Sequence, residues 1–199
     1  MNRPKLIGLT GQSGAGKSTA AALFAANGFT VINADDLVRA VYETNPACLK
    51  AVAASFGEDI LFPDGTLNRR LLASRAFADK ESTALLGALV HPFVIAETLK
   101  ILKTVSGMAV FDAPQLFESN IDVVCDVIVS ITAAEDVRLQ RILARDKLTV
   151  ARARERMDAQ YSEAFFREHA DFVIENNGDS ASFAARLLPV IENIRTGVM

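Results

Sequence analysis

Three glycines, a lysine and a hydroxyl group near the start of the chain have a spacing that can hold phosphate. Gly11-Gln12-Ser13-Gly14-Ala15-Gly16-Lys17-Ser18 fills every fixed position of the pattern G-x-x-x-x-G-K-[ST]. Gly11, Gly14 and Gly16 allow the backbone to approach a ligand closely. The amides from Gly14 through Ala15 and Gly16 to Thr19, with the positive end of a following helix, then face the phosphate oxygens. Lys17 is placed to bridge the β- and γ-phosphates, and the Ser18 hydroxyl to ligate Mg²⁺. Thr19 can add a donor near the α-phosphate. The ligands implied are ATP and Mg²⁺. An ordinary glycine turn before a helix is the plainer reading, and the complete motif between a buried strand and a helix start argues against it.

Other groups could serve the same chemistry. Asp112 closes the apolar run Met108–Phe111, where a strand-end carboxylate can hold Mg²⁺ directly or through water, or simply cap the next turn. Arg141 and Arg145 stand at i, i+4 and share one helix face. That face could neutralise a transferring phosphoryl group, or lie in solvent beside Glu135 and Asp136. Cys48 and Cys125 are far apart and lack metal-ligand spacing, which suits reduced thiols in a cytoplasmic compartment.

These groups need a scaffold. Lys5–Thr10 is a short apolar run ended by the glycine loop, and Lys17–Ala26 is an alanine-rich helix former. Strand, glycine turn and helix open an α/β layer. Gly28 is placed to end that helix, and Phe29–Asn33 reads as the next buried strand. Asp35–Tyr42, Ala47–Phe56, Arg69–Phe77 and Lys80–Val105 all read as helices, with a turn at Pro63-Asp64-Gly65. Pro92 is expected to start or kink a segment. So much helix between two strands predicts an insertion at the mouth of the sheet, over about 36–106. Strands at Met108–Phe111, Val123–Ile131 and Phe172–Ile174 follow. Arginine-rich helices, Ala134–Arg145 and Val150–Gln160, separate the last two, and Ser180–Arg195 closes the chain as an amphipathic helix interrupted by Pro189. Five strands divided by helices predict a single α/β domain, a three-layer P-loop NTPase fold around a parallel, doubly wound sheet. Its core falls at about 4–35, 107–133 and 168–199.

The 199 residues carry a formal net charge of -3 and no basic footprint for nucleic acid. No run is expected to approach a membrane span. The expectation is a soluble cytoplasmic protein acting on small molecules, monomeric or weakly homo-oligomeric, with no nucleic-acid or membrane partner. A phosphate loop alone does not separate kinases from GTPases or motor ATPases. The guanine-reading Asn-Lys-x-Asp element is absent, and the helical insertion favours a small-molecule kinase. A P-loop kinase acting on a nucleoside or nucleotide is the nearest alternative, and a nucleotide-dependent switch or regulatory ATPase without an acceptor is the competing class.

A longer series of phrases narrows the reading. Val31-Ile32-Asn33-Ala34-Asp35 … Arg39, Phe56-Gly57, Asp64-Gly65-Thr66-Leu67-Asn68-Arg69 and His91-Pro92 follow the loop in order. Asp112-Ala113-Pro114-Gln115-Leu116-Phe117-Glu118, Gln140-Arg141 … Arg145, Gln160 and Ala170-Asp171-Phe172-Val173-Ile174 … Asn176 complete the series. From Leu6 to about Gly178 the chain closely resembles dephospho-coenzyme A kinases, which phosphorylate the ribose 3′-hydroxyl of dephospho-coenzyme A in the last step of coenzyme A synthesis.

The resemblance implies roles. Asp35 falls on the proposed base beside the acceptor hydroxyl, with capping of the next helix as its plainer role. Asn33 departs from an acidic family position and leaves Asp35 the only carboxylate of its phrase. Arg39, Arg69 and His91 match positions lining the coenzyme pocket, where a pyrophosphate needs cations. Taken alone, the arginines read as solvated surface groups and His91 as a helix cap or core histidine. Leu116 and Glu118 belong to the acceptor phrase, in which Gln115 replaces a leucine. Arg141 and Arg145 belong to a lid, at about 134–165, that closes over ATP. Asn176 matches an element near the adenine ring, in what otherwise reads as a turn.

Overall fold

The computed structural model describes residues 4–197. Its centre is β1, Leu6–Gly11, six consecutive buried residues, as expected for a strand covered on both faces of a parallel sheet. Thr30–Asn33 (β2), Ala109–Asp112 (β3), Val127–Thr132 (β4) and Phe172–Glu175 (β5) complete a five-stranded sheet in the order β2-β3-β1-β4-β5, every pair parallel. The chain leaves β1 at the point where strand order reverses, the usual crevice for a ligand in an open α/β sheet.

One face is covered by Lys17–Ala26 (α1) and Ser180–Thr196 (α9), whose Phe24, Phe183, Leu187 and Ile191 pack on Ile7, Leu9, Val129 and Ile131. The other carries the insertion: Ala34–Thr44 (α2), Pro46–Phe56 (α3), Arg69–Ala76 (α4) and Lys80–Thr104 (α5). Leu37, Val41, Val52, Val90 and Leu102 from these helices join Leu6, Phe111 and Leu116 in one core. Glu135–Asp146 (α6), Val150–Asp158 (α7) and Glu163–His169 (α8) lie between β4 and β5. Ile142, Ala153 and Met157 form a small separate cluster within α6 and α7. The α/β architecture and the five parallel strands agree with the sequence reading.

Four local expectations are corrected. Residues 123–126 precede β4, because Asp122–Val124 form a 3₁₀ turn and Asp126 Oδ2 accepts the Leu6 amide at 2.7 Å. The helix α8 was not foreseen; Ser162 caps it by accepting the Phe165 amide at 3.2 Å. Neither Pro92 nor Pro189 interrupts its helix. Proline removes one ladder bond, while each helix continues past it with buried residues on both sides, Val90 and Val94 or Leu187 and Ile191. Finally, α5 is, among the described residues, the one helix long and apolar enough to cross a membrane by length and composition. Here it is the spine of the insertion, its Val90-Val94-Thr98-Leu102 stripe buried and its length in contact with α2, α3 and α4.

Candidate active site

Besides Gly11 at the end of β1, whose Cβ would strike the Ile131 carbonyl, the turn into α1 needs glycine at two further positions. Gly14 has φ 80° and Gly16 φ 103°, both in the left-handed region. A Cβ on Gly14 would lie 2.6 Å from the Arg138 carbonyl oxygen, and one on Gly16 would strike the Asn176 carboxamide. Gly16 is also the N-cap of α1 and offers no side-chain acceptor, so the first amides of the helix are open to an anion. Ala15 is buried; its carbonyl accepts from Asn176 Nδ2 at 2.7 Å, tying the loop to the end of β5. Ser18 and Thr19 are exposed beside it.

Lys17 donates to Asp112 across the strand ends, in an ion pair whose carboxylate is only 8% exposed. The sheet register explains the meeting: Leu9 of β1 and Asn33 of β2 both stand abreast of Asp112 in β3. Lys17, Ser18, Gly14, Arg145, Arg156 and Gln160 line a common cavity of about 210 Å³.

Arg145 and Arg156 reach this cavity from α6 and α7, and both are held by Asp146. Its carboxylate accepts from Arg145 Nε at 2.7 Å and from Arg156 Nη1 at 2.9 Å. The two guanidiniums hold the Asp146 carboxyl below its ordinary range, Arg145 contributing most. Arg141 is a correction. Its guanidinium binds the carbonyls of Gly14, Asn176 and Gly178, at 3.4, 2.9 and 3.3 Å. It lines a second cleft of about 180 Å³ with Thr19, Asn176 and Ser180, away from Lys17. The i, i+4 spacing is real, yet the two arginines line different cavities. Arg156 was missed as a site residue, and Gln160 was noted without a role. Their own i, i+4 spacing was the available signal.

The acceptor side is less assembled. Asp35 sits exposed in the first turn of α2, two residues beyond Asn33 and so beside the Asp112 strand end. Asn33, not Asp35, caps this helix by accepting the Asp36 amide at 3.1 Å, which leaves the Asp35 carboxylate without a side-chain partner among the described residues. Arg39 pairs with Asp36 at 3.4 Å and Arg69 with Glu43 at 2.8 Å, so both cations stand on the insertion held by local acids. His91 is half-buried on α5 against Gly87, and burial lowers its pKa. Glu118 lies at the surface beyond β3, where partial burial of its carboxyl raises the pKa. Leu116 is a second correction: it is fully buried in the insertion-side core, 2.7 Å from where a Cβ on Gly8 would stand. The structure does not join Arg39, Arg69, His91 and Glu118 in one hydrogen-bonded group.

The donor set suits Mg²⁺ carried in with a triphosphate. Ser18 and Asp112 offer hard oxygen ligands at the loop, and among the described residues no cluster of three or more His, Cys, Asp or Glu could hold a metal alone. Asp112 already holds a cation, the Lys17 ammonium, which shows that the position favours positive charge.

Known proteins resemble the chain over nearly its whole length. The family model described as dephospho-CoA kinase matches residues 5–182. The dephospho-CoA kinase of Corynebacterium efficiens is 38% identical over 196 residues, covering 96% of this chain and 98% of that one. The solved dephospho-CoA kinase from Campylobacter jejuni superposes with a TM-score of 0.71 at 27% identity, covering 98% of each chain. TT1252 from Thermus thermophilus superposes at 0.81 with 30% identity over the whole of both chains. A shikimate kinase from Acinetobacter baumannii, at 17% identity and 0.56, shares the fold.

Proposed function

The chain belongs to the dephospho-CoA kinase family and transfers phosphate from ATP to the ribose 3′-hydroxyl of dephospho-coenzyme A, and we propose that it does so between the phosphate loop and the helical insertion. The observation that carries this placement is the Lys17–Asp112 pair, set abreast of the strand that delivers Asp35.

ATP lies with its phosphates against the Gly14–Thr19 amides and its base toward Arg141 and Asn176. Lys17 exchanges the Asp112 carboxylate for β- and γ-phosphate oxygens, and Asp112 and Ser18 would hold Mg²⁺. When bound, that ion neutralises phosphate charge and draws electrons from the γ-phosphoryl group. Asp35 orients the 3′-hydroxyl and accepts its proton as the oxygen attacks. Arg145 and Arg156 face the same cavity and stabilise charge on the group in transit. Arg39, Arg69 and His91 receive the acceptor's pyrophosphate and adenosine on the insertion side. The absence of a disulfide at Cys48 and Cys125 among the described residues fits a cytoplasmic enzyme, and monomer or weak homo-oligomer is the proposed state.

Purified protein with ATP–Mg²⁺ should convert dephospho-coenzyme A to a product phosphorylated at the ribose 3′ position. Acceptor-independent ATP hydrolysis at the same rate would favour the regulatory ATPase class instead.

A further inference from the structure

One contact at the phosphate loop has no part in that scheme. The Ser13 amide donates to Gln160 Oε1 at 2.7 Å, across 147 residues of sequence. Gln160 stands just after α7, on the half-buried wall of the phosphate cavity, in line with Arg156 one helical turn before it. The next residue, Tyr161, begins an aromatic ladder along α8: its ring stacks on Phe165 at 3.9 Å, and Phe165 stacks on His169 at 4.0 Å. Phe117, from the acceptor loop after β3, meets Phe165 edge-on at 5.2 Å. Two neighbouring residues therefore tie the base of α7 to the donor loop on one side and the acceptor loop on the other.

We propose that Gln160 is a positioning residue for phosphoryl transfer, its carboxamide oxygen holding the Ser13 amide so that Arg156 and Arg145 are registered over the phosphates while α8 and Phe117 fix the acceptor loop. This rests on the kinase reading above. Ser13 is a loop amide, and an acceptor fixed on it sets the distance between loop and lid base. Without that tie, the contacts left to α7 are the small Ile142–Ala153–Met157 cluster and the ion pairs of Arg154 and Arg156 with α6, together with the Tyr161 ring stack that follows it. Both lid arginines would then sample positions away from the phosphates, and water would compete with the acceptor for the phosphoryl group.

The full-length enzyme tests this through Gln160→Met, which removes the acceptor at similar volume, and Gln160→Glu, which keeps an oxygen at the same reach. In Gln160→Met the Ser13 amide proton resonance should move upfield and exchange faster, and kcat should fall roughly five- to tenfold, the range of one lost hydrogen bond. KM for dephospho-coenzyme A should hardly change, and ADP formed per coenzyme A should rise. Gln160→Glu should recover the Ser13 signature and the coupling, with a higher KM for ATP from the added charge. Wild-type kcat and coupling in Gln160→Met, or a Ser13 resonance that ignores both substitutions, would overturn the proposal. The Ser13 resonance is read without any acceptor, so a wild-type enzyme inactive on dephospho-coenzyme A would fail the kinase reading and leave this test intact.

Discussion

Lys17 has two partners in prospect, and this divides its contribution between stability and turnover. Its ammonium satisfies a nearly buried carboxylate, and removing it leaves Asp112 with only water from the cavity. Lys17→Met should therefore destabilise the ligand-free fold by about 1–3 kcal/mol, the cost of stranding a buried polar group. Asp112→Asn in the same chain should restore most of that loss, because the pair acts as a unit. A double-mutant cycle in urea checks it, and additive losses would show the pair to be incidental. Turnover should not recover, since the phosphates still lack their cation. Asp35 makes the opposite prediction. Its carboxylate caps nothing and pairs with nothing among the described residues. Asp35→Asn should leave the melting temperature unchanged while kcat drops on the order of 10²–10⁴-fold, the usual worth of general base catalysis. A variant with near-normal kcat would remove Asp35 from the proton transfer. Asn33 explains why this separation of roles is possible: by taking over the capping contact it frees the carboxylate two residues later.

Within α5, Gly87 and His91 form a matched pair one turn apart. A Cβ on Gly87 would stand 2.8 Å from His91 Cε1, so the glycine makes room for the ring. Gly87→Ala in a His91→Ala background should gain roughly 0.5–1 kcal/mol from helix propensity, and the same change beside the native ring should gain less. Burial lowers the His91 pKa below its ordinary 6.5, so the unfolded chain binds that proton more readily than the fold does. Its effect on stability is absent above that pH and grows as pH falls below it, destabilising the native state. His91→Gln should flatten the acid side of the melting-temperature profile, and an unchanged profile would show the ring to be irrelevant. These helices also mark how far the sequence could be read. The glycine motif and the apolar runs located five strands and α1 to within a few residues; in β1 and β3 burial on both faces leaves an unbroken apolar signature, and the partly exposed edge strands β2 and β5 were still marked by short apolar runs. Pro189 misled, since single-residue propensity was weighed against packing that only the tertiary fold supplies. The helix α8 was overlooked because Phe165 and Phe166 sit in a short polar stretch whose period is hard to see. At the site, the donor side followed from local spacing. The acceptor side did not: Arg39, Arg69 and His91 come from three helices whose relative placement no local pattern encodes, and Leu116 looked like a pocket residue until its burial was visible.

The distribution of buried apolar groups across the chain divides the enzyme into parts of unequal stability. Each face of the sheet has its own large core, one shared with α1 and α9 and the other with the insertion. Among the described residues, α6 and α7, the proposed lid, share the small cluster Ile142, Ala153 and Met157, with Leu139, Leu143 and Leu148 packed against it, and Val137 of α6 touches the sheet core. Exposed ion pairs such as Arg154–Glu135 add little to such a unit. The lid should then open in local fluctuations far more often than the sheet unfolds, as low-density segments do. Native-state hydrogen exchange should find the amides of α7 least protected among the long helices, while those of β1 and β4 exchange only through global unfolding. A non-hydrolysable ATP analogue with Mg²⁺ at about 100 times its Kd should stabilise the whole protein by about 2.7 kcal/mol. If Arg145 and Arg156 engage the phosphates, that gain should appear in α6 and α7 as well as globally, and substituting both with alanine should confine it to the phosphate loop and sheet. Uniform protection of α7 and β1 without nucleotide would mean that the lid belongs to the core, and that closure over ATP is not an independent motion of this enzyme.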